Sequence, residues 1–594
     1  MQAFAELSKE GDRCEVHFRY SEGHVAAMNR LKPLGARFHG PTNGGPLWTL
    51  PLDLVVMRRL REEFGDGLQL GAALSAWGKK EVARERNLKS LSIVDSVPVR
   101  SLKMSKKLPK LAKWYRPYQR ADVKFMGETS CLNLLEPRLG KTTEVIGAVF
   151  EADIEDGPHL VVAPKSTLDT VWRMEIERWT DHTVVTYSGD LSTEERAEAE
   201  RTVERCLKDG TPFWFVTTAH MIRRGNFPQI PEWNSFTIDE FHKTGLPEPG
   251  NSFPKEAKKV KAKRKYGLSG TPMGGKPVKL FGALQWLAPE KFTSRWRWAA
   301  QWLVIENTWG NHKVIGNIIP GREDAFFESL APYAVRRLRS EVVPQMPETM
   351  WIDVWCDMTA KQEKQYRTFH EQAEVRIDEY HLSATSILAE YTRLKQFANH
   401  MCGVEVLSVD EETGHIDMKV KATEESGKIP ALLERLAERG IDPDDPDGDD
   451  QAIIASQFRE TAEMIHRYLN RYGIPCEIIS GAVHQKERNR IQADFQAGKV
   501  RVAILVTAAA GVGITLNAAS DVHILDETWN PDDQTQVTDR AVDISRHHQV
   551  TALVYRSKRT VEEYIKEVND RKLDVNKNIL DLRRQIAKAY RVGH

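Results

Sequence analysis

Leu135-Glu136-Pro137-Arg138-Leu139-Gly140-Lys141-Thr142-Thr143 decides the fold of this chain. An apolar run over residues 131–135 leads into it and a helical pattern follows, so the segment reads as a strand, a phosphate-binding loop and a helix start. Backbone N–H groups at such a helix N-terminus favour an anion, Lys141 reaches for its β/γ oxygens, and the Thr142 hydroxyl is placed for magnesium. Further on, Ile238-Asp239-Glu240-Phe241-His242 ends a second apolar run in adjacent carboxylates, suited to holding that ion and positioning a water. The pair, in this order, points to a nucleoside-triphosphate motor using Mg2+.

The loop departs from its usual pattern. A glycine is expected five residues before Gly140, and Leu135 stands there; Arg138 occupies a position where many such loops have another glycine. Either the loop is wider than usual, or Arg138 faces away from the nucleotide.

Outward from this pair, 594 residues suffice for three or more structural units. The formal net charge is zero, so a nucleic-acid partner has to be argued from local basic faces. Cys14, Cys131, Cys206, Cys356, Cys402 and Cys476 form no CxxC pairs and read as reduced core residues rather than zinc ligands or disulfides. The first residues, Met1 to Glu6, do not resemble a signal peptide. No apolar run approaches the ~18 residues of a membrane-spanning helix. The expected setting is cytoplasmic, in a bacterium or a virus of bacteria, with a nuclear one if the source is eukaryotic.

The pattern divides the chain. Residues 13–65 read as a small α/β unit, with strands over 14–20 and 47–50 and helices over 22–34 and 52–64. Residues 66–108 read as a linker. Residues 109–275 alternate strands with helices, which argues a parallel sheet covered on both faces. Residues 276–345 are richer in helical pattern and tryptophan, and 346–425 read as a helical and linker insertion interrupted by a polar stretch over 408–426. A second α/β series occupies 426–558, with an acidic loop over 442–450, and charged helices close the chain over 559–594.

From about residue 112 onward the chain resembles the Swi/Snf-type branch of superfamily 2 helicase-like ATPases. The matching segments come in the family's order: Arg116-Pro117-Tyr118-Gln119, the phosphate loop, Val162-Ala163-Pro164-Lys165-Ser166 with Trp172, a DEAH-like Asp239-Glu240-Phe241-His242, and Leu268-Ser269-Gly270-Thr271-Pro272. Residues 335–342 with Met346-Pro347, residues 507–514, Trp529-Asn530-Pro531 and Gln536-Val537-Thr538-Asp539-Arg540 follow. The resemblance implies an α/β fold of two tandem RecA-like lobes with parallel sheets, helical insertions and a small N-terminal α/β domain.

It also implies roles. ATP binds between the lobes, on Gln119, Gly140, Lys141, Thr142 and Thr143 from one and Gly513 and Gln536 from the other, with Thr142 and Asp239 on the metal. Glu240 orients or deprotonates the attacking water, and Arg540 is the arginine finger. His242 and Gln536 resemble residues that couple the site to the lobes. The family's second arginine, three residues after the first, is replaced by Asp543, with Ser545 and Arg546 following; the second finger is either lost or supplied by Arg546. Lys165, Thr217, Gln457 and Thr507 match strand-contacting positions and are expected on phosphates rather than bases.

The lysine-rich run from Lys255 to Lys265 is either part of that track or a solvated face, and Trp296, Trp298 and Trp302 read as core of an insertion rather than a stacking platform. Glu15-Val16-His17-Phe18-Arg19-Tyr20 and Pro46-Leu47-Trp48-Thr49-Leu50-Pro51 resemble the HepA-related domain of annealing helicases, or else any small α/β module with a Trp-anchored core.

The reading is an ATP-dependent double-stranded-DNA translocase, monomeric, acting on forked or branched DNA and reannealing strands or remodelling forks. Its alternatives are a strand-unwinding DNA or RNA helicase and a degenerate ATPase serving as a DNA-binding module. Residues 335–347 and 529–531 argue against RNA, and the lack of a recognisable histone-reading segment argues against chromatin remodelling.

Overall fold

A computed structural model describes residues 3–570 apart from 43–44, 93–101, 248–251, 274–275, 309–311, 344–347, 381–383, 410–415, 444–449, 482, 508–513, 530 and 543–548. The chain begins with a mixed five-stranded sheet of β1 (Ala3–Leu7), β2 (Arg13–Phe18), β3 (Arg37–Thr42), β4 (Gly45–Pro51) and β5 (Leu68–Leu70), in the order β3-β4-β2-β1-β5. Its helices, Glu22–Leu31 and Leu54–Phe64, bury Met28, Leu31 and Leu60 against Val16, Trp48 and Leu50. The unit is therefore wider than residues 13–65. Nor is 66–108 simply a linker: β5 and the long helix Ala72–Ser92 lie in it, and Leu88 and Leu91 of that helix enter the core of the next domain.

That domain is lobe one. Its strands are β6 (Cys131–Asn133), β7 (Pro158–Val162), β8 (Thr183–Tyr187), β9 (Phe213–Thr217), β10 (Trp233–Ile238) and β11 (Ala262–Leu268). An antiparallel hairpin, β12 (Leu303–Thr308) with β13 (His312–Ile318), and then the short β14 (Ala334–Val335) follow. The seven-stranded sheet runs β14-β6-β11-β10-β7-β9-β8, every pair parallel. Val161 points to one apolar cluster, with Val145 and Trp214, while Leu160 and Val162 point to the other, with Phe236 and Trp286. Residues 276–345 are thus neither all helical nor a separate insertion, since β14 completes the sheet. Trp298 is buried and Trp302 packs against it through Phe326, but Trp296 is exposed and is not core.

Lobe two starts earlier than residue 426. Its sheet runs β15-β22-β21-β18-β20-β19, from β15 (Met350–Cys356), β18 (Ala452–Ser456), β19 (Cys476–Ile479), β20 (Val502–Val506), β21 (Asp521–Ile524) and β22 (Thr551–Ser557). The helices Ala360–Tyr380 and Ala384–Asn399 and a hairpin, β16 (Cys402–Val409) with β17 (Ile416–Ala422), are carried on it. The hairpin crosses the stretch whose polarity suggested irregular structure. Lys428 anchors this part: its buried ammonium donates to Asn399 Oδ1 at 2.9 Å and to Glu562 at 2.8 Å. Residues 561–570 are helical, and the rest of the closing segment lies outside the described residues. All six cysteines are buried free thiols. No described helix is long and apolar enough to cross a membrane.

Candidate active site

The order of lobe one's strands sorts its chemistry. Loops after β6, β10 and β11 hold the phosphate loop, Asp239-Glu240 and Ser269; loops after β7 and β9 carry Lys165 and Thr218. All lie at the carboxyl edge of a parallel sheet, where ligands of such sheets bind.

The phosphate loop is tied to the helix Pro117–Glu128. Gln119 donates from Nε2 to Leu139 O at 3.2 Å and accepts at Oε1 from Arg116 N, while Tyr118 Oη donates to Leu139 O at 2.9 Å. Gly140, at φ 88°, closes the turn into the helix Lys141–Glu151; that angle would strain any side chain, whose Cβ would also press on Gln119 Nε2, 2.4 Å away. Thr143 donates its hydroxyl back to Gly140 O at 2.8 Å. Lys141 donates from Nζ to Leu135 O at 3.0 Å and Glu136 O at 3.3 Å. Burial pulls its pKa down while Glu240 and Asp239 pull it up. Its present partners are loop carbonyls, which a phosphate would outcompete.

Asp239 is held by Trp172, whose Nε1 donates to Oδ2 at 3.1 Å, and by Glu240 N, which donates to Oδ1 at 3.0 Å. Burial, and then Glu240, push Asp239 up to about 7, against the pull of Trp172 and Lys141; a divalent cation would add to that pull. Glu240 has φ 47°, a left-handed backbone at a functional turn. Its carboxylate lies 3.3 Å from His242 Nδ1. That nitrogen is also 2.9 Å from Ser269 Oγ, and Nε2 is 3.4 Å from Thr271 Oγ1. Burial pushes His242 down to about 4, so a neutral ring links Glu240 to residues 269–271.

Lobe two closes the cleft with Gln536, Asp539 and Arg540. Arg540 donates from Nη1 to Ile514 O at 3.3 Å, and its buried Nε has no partner among the described residues. Burial and then Arg138 lower Arg540 to about 10, which leaves it charged at neutral pH. Among the described residues, Lys243, Arg339 and Arg138 of lobe one reach across. Lys243 donates to Gln536 Oε1 at 2.6 Å, Arg339 pairs with Asp539 at 2.7 Å, and Arg138 donates to Ile514, Thr515 and Asp539. Arg138 thus faces away from the phosphate position, one of the two outcomes its sequence position left open. The cleft encloses about 1160 Å³ and is lined by Lys141, Thr142, Asp239, Glu240, Gln536 and Arg540 among others, more than the roughly 300–1,000 Å³ of typical ligand pockets.

These residues suit a magnesium nucleotide: a lysine held by loop carbonyls, a hydroxyl and a buried carboxylate lining the same cleft, and an arginine whose Nε has no partner among the described residues. Gly513 and Arg546, with Asp543 and Ser545, lie outside the described residues.

Of the strand-contact candidates, Lys165 is exposed and paired with Asp190. Thr507 lies just beyond β20 and is half-buried. Gln457 is turned inward, donating to Asp526 Oδ1 at 2.9 Å and Glu527 O at 3.0 Å. Thr217 needs correcting. It is fully buried and donates to Tyr187 O at 2.7 Å, so Thr218 takes the accessible position after β9. In the lysine run, Lys259 pairs with Glu256 and Lys265 donates to Trp286 O at 2.9 Å, so this part is a satisfied face. Trp172, Arg138 and Arg339 do more at the site than the sequence assigned them: Trp172 and Arg339 lie in the family-like segments without a stated role, and the missing glycine marked Arg138.

Residues 118–402 match the model of the SNF2-related domain, and residues 427–545 match that of the helicase conserved C-terminal domain. The chain carries an SNF2-type ATPase core. Chromodomain-helicase-DNA-binding protein 1-like from Danio rerio is 25% identical to it over 463 residues, 76% of this chain and 42% of that protein. The ISWI chromatin-remodeling complex ATPase ISW1 of Saccharomyces cerevisiae is 27% identical over 500 residues, 80% of this chain and 41% of that protein. The SNF2-type chain thus spans less than half the length of either relative. A solved structure of the Sulfolobus solfataricus SWI2/SNF2 ATPase core in complex with dsDNA is 22% identical, covering 78% of this chain and 91% of that one, at a TM-score of 0.34, too low to build on.

Proposed function

We propose that this SNF2-type core is an ATP-dependent translocase on double-stranded DNA that works at forked or branched structures. One observation carries the reading: the two lobes face each other across a single cleft with Lys141, Asp239 and Glu240 on one wall and Arg540 on the other. Lys141, the loop backbone and Thr142 would bind the triphosphate, and Thr142 and Asp239 would hold its magnesium, which would supply charge neutralisation. Glu240 orients the water and accepts its proton. Arg540 meets the charge that develops on the transferred phosphoryl group, a contribution of about 10³–10⁵ in rate for such fingers.

A second cavity, of about 610 Å³, supports the nucleic-acid part. Lys165, Arg196, Arg224 and Lys243 line it with His220, Thr218 and Asp190, and it shares Glu240 with the ATP cleft. Cationic side chains grouped this way suit a phosphate backbone and predict salt-sensitive, sequence-independent binding. Sharing Glu240 gives DNA a direct route to the hydrolytic carboxylate. The fork preference rests on the N-terminal unit and its likeness to the HepA-related domain.

The test is phosphate release with single-stranded, duplex and forked DNA side by side, together with triplex-displacement and strand-displacement assays. Stimulation by duplex with triplex displacement and no strand separation is expected. Strand separation would favour the helicase alternative, no stimulation by any DNA would favour the degenerate one, and stimulation by nucleosomes alone would place the substrate in chromatin.

A further inference from the structure

The least ordinary residue of the ATP cleft is Arg138. At φ 68° it holds a left-handed conformation that a glycine would adopt without strain. That backbone turns its side chain out of the phosphate loop and across to lobe two. Nη2 donates to Ile514 O at 3.2 Å, Nη1 to Thr515 Oγ1 at 3.1 Å, and Nε to Asp539 O at 3.1 Å. These acceptors lie on two separate segments that flank the arginine finger. Arg540 follows Asp539 directly and shares Ile514 O with Arg138, and Leu516 N donates to Arg540 O at 2.9 Å. One planar fork thereby pins 514–515 to 539, a geometry suited to guanidinium and not to a point-like ammonium. Arg339 adds a second tie, pairing with Asp539 while its backbone N donates to Glu136 of the same phosphate loop at 2.7 Å.

We propose that Arg138 is a positioning residue that ties the phosphate loop of lobe one to the finger-bearing turn of lobe two, so that Arg540 is held in place before any nucleotide arrives. Strain at a left-handed arginine is kept because it serves this contact. A glycine here would remove the tie to 514–515 and leave Asp539 to Arg339. The inference rests on the ATPase reading for its consequence in rate, but the tie itself is a property of the nucleotide-free chain.

The experiment uses the full chain and Arg138→Gly, which suits the backbone angle, with Arg138→Met as a second variant should the first fail to fold. Hydrogen exchange of residues 514–516 and 539–541 is followed without nucleotide, and binding of a fluorescent ATP analogue and single-turnover hydrolysis at saturating duplex DNA are measured beside it. Exchange in both segments should quicken at least tenfold, analogue affinity should change by less than threefold, and hydrolysis should fall at least tenfold. Arg138→Lys should restore little of either. Thr515→Val, which leaves the phosphate loop untouched, should quicken exchange to a smaller degree.

Unchanged exchange in lobe two would overturn the tie even if hydrolysis fell. Quickened exchange with undiminished hydrolysis would overturn its role in placing the finger. An unmodified protein that hydrolyses no ATP under any condition would refute the ATPase reading instead, leaving the exchange comparison to decide the tie.

Discussion

The two walls of the ATP cleft are built by different means. Lobe one's wall is self-supporting: Lys141 rests on Leu135 and Glu136 carbonyls, Asp239 on Trp172, and Glu240 beside His242, all within one sheet's loops. Lobe two's wall is held largely from outside, with Gln536 bound by Lys243, Asp539 by Arg339 and Arg138, and the finger's neighbours by Arg138. The difference teaches a division of labour. The groups of lobe one are positioned from within lobe one, whereas Gln536, Asp539 and residues 514–515 are tied by side chains of the other lobe.

The sharpest way to break this picture is on lobe one's wall. Lys141→Ala should abolish ATP turnover in a protein with unchanged circular dichroism; near-normal hydrolysis would refute the assignment of the phosphate loop. Glu240→Gln keeps shape and removes basicity, so it should bind ATP and DNA yet hydrolyse about 10²–10⁴ times more slowly. Loss of nucleotide binding as well would make Glu240 structural.

On the opposite wall, Arg339→Ala strands the Asp539 carboxylate, while the backbone N–H at 339 still holds Glu136. A hydrogen bond to a charged group is worth about 1.5–3 kcal/mol, so kcat should fall by roughly tenfold or more with little change in KM for ATP. A rise in KM at constant kcat would move Arg339 to the nucleotide-binding side of the comparison. Asp239 gives a pH signature of lobe one alone. A carboxyl raised to about 7 is mostly protonated at pH 6 and mostly ionised at pH 8, and a cation needs the ionised form. Affinity for the magnesium nucleotide should therefore fall about tenfold from pH 8 to pH 6, read by calorimetry in two buffers of different ionisation enthalpy. A flat profile would contradict the buried, cation-seeking description.

The smallest effect is expected furthest away. Removing residues 1–70 leaves Leu88 and Leu91 in lobe one's core and takes away Asp53, which pairs with Lys291 at 2.8 Å. Hydrolysis on plain duplex should survive, and the fork-to-duplex ratio should drop. An unchanged ratio in a folded truncation would mean that the N-terminal unit does not select forks.

What was legible in the sequence follows the same division. Gly140-Lys141-Thr142 and Asp239-Glu240 declare themselves because a strand, a turn and a helix start within ten residues fix their geometry locally. Arg138 could be flagged but not aimed, since its acceptors lie in another domain. Thr217 and Thr218 could not be told apart because all five residues of β9 are buried, which erases the period-two signal. β15 was missed for the opposite reason. It is an edge strand with Trp351 and Trp355 exposed, and it joins a sheet whose next strand in sequence, β18, begins at Ala452. β16 and β17 carry too many polar residues to stand out from a loop.

The most direct test of the two-wall account is Arg540→Ala, assayed at saturating duplex DNA for analogue binding and single-turnover hydrolysis in the same preparation. Binding within threefold of the unmodified chain, with hydrolysis slowed about 10³-fold or more, is the predicted result. Binding and hydrolysis lost together, or hydrolysis left intact, would contradict it.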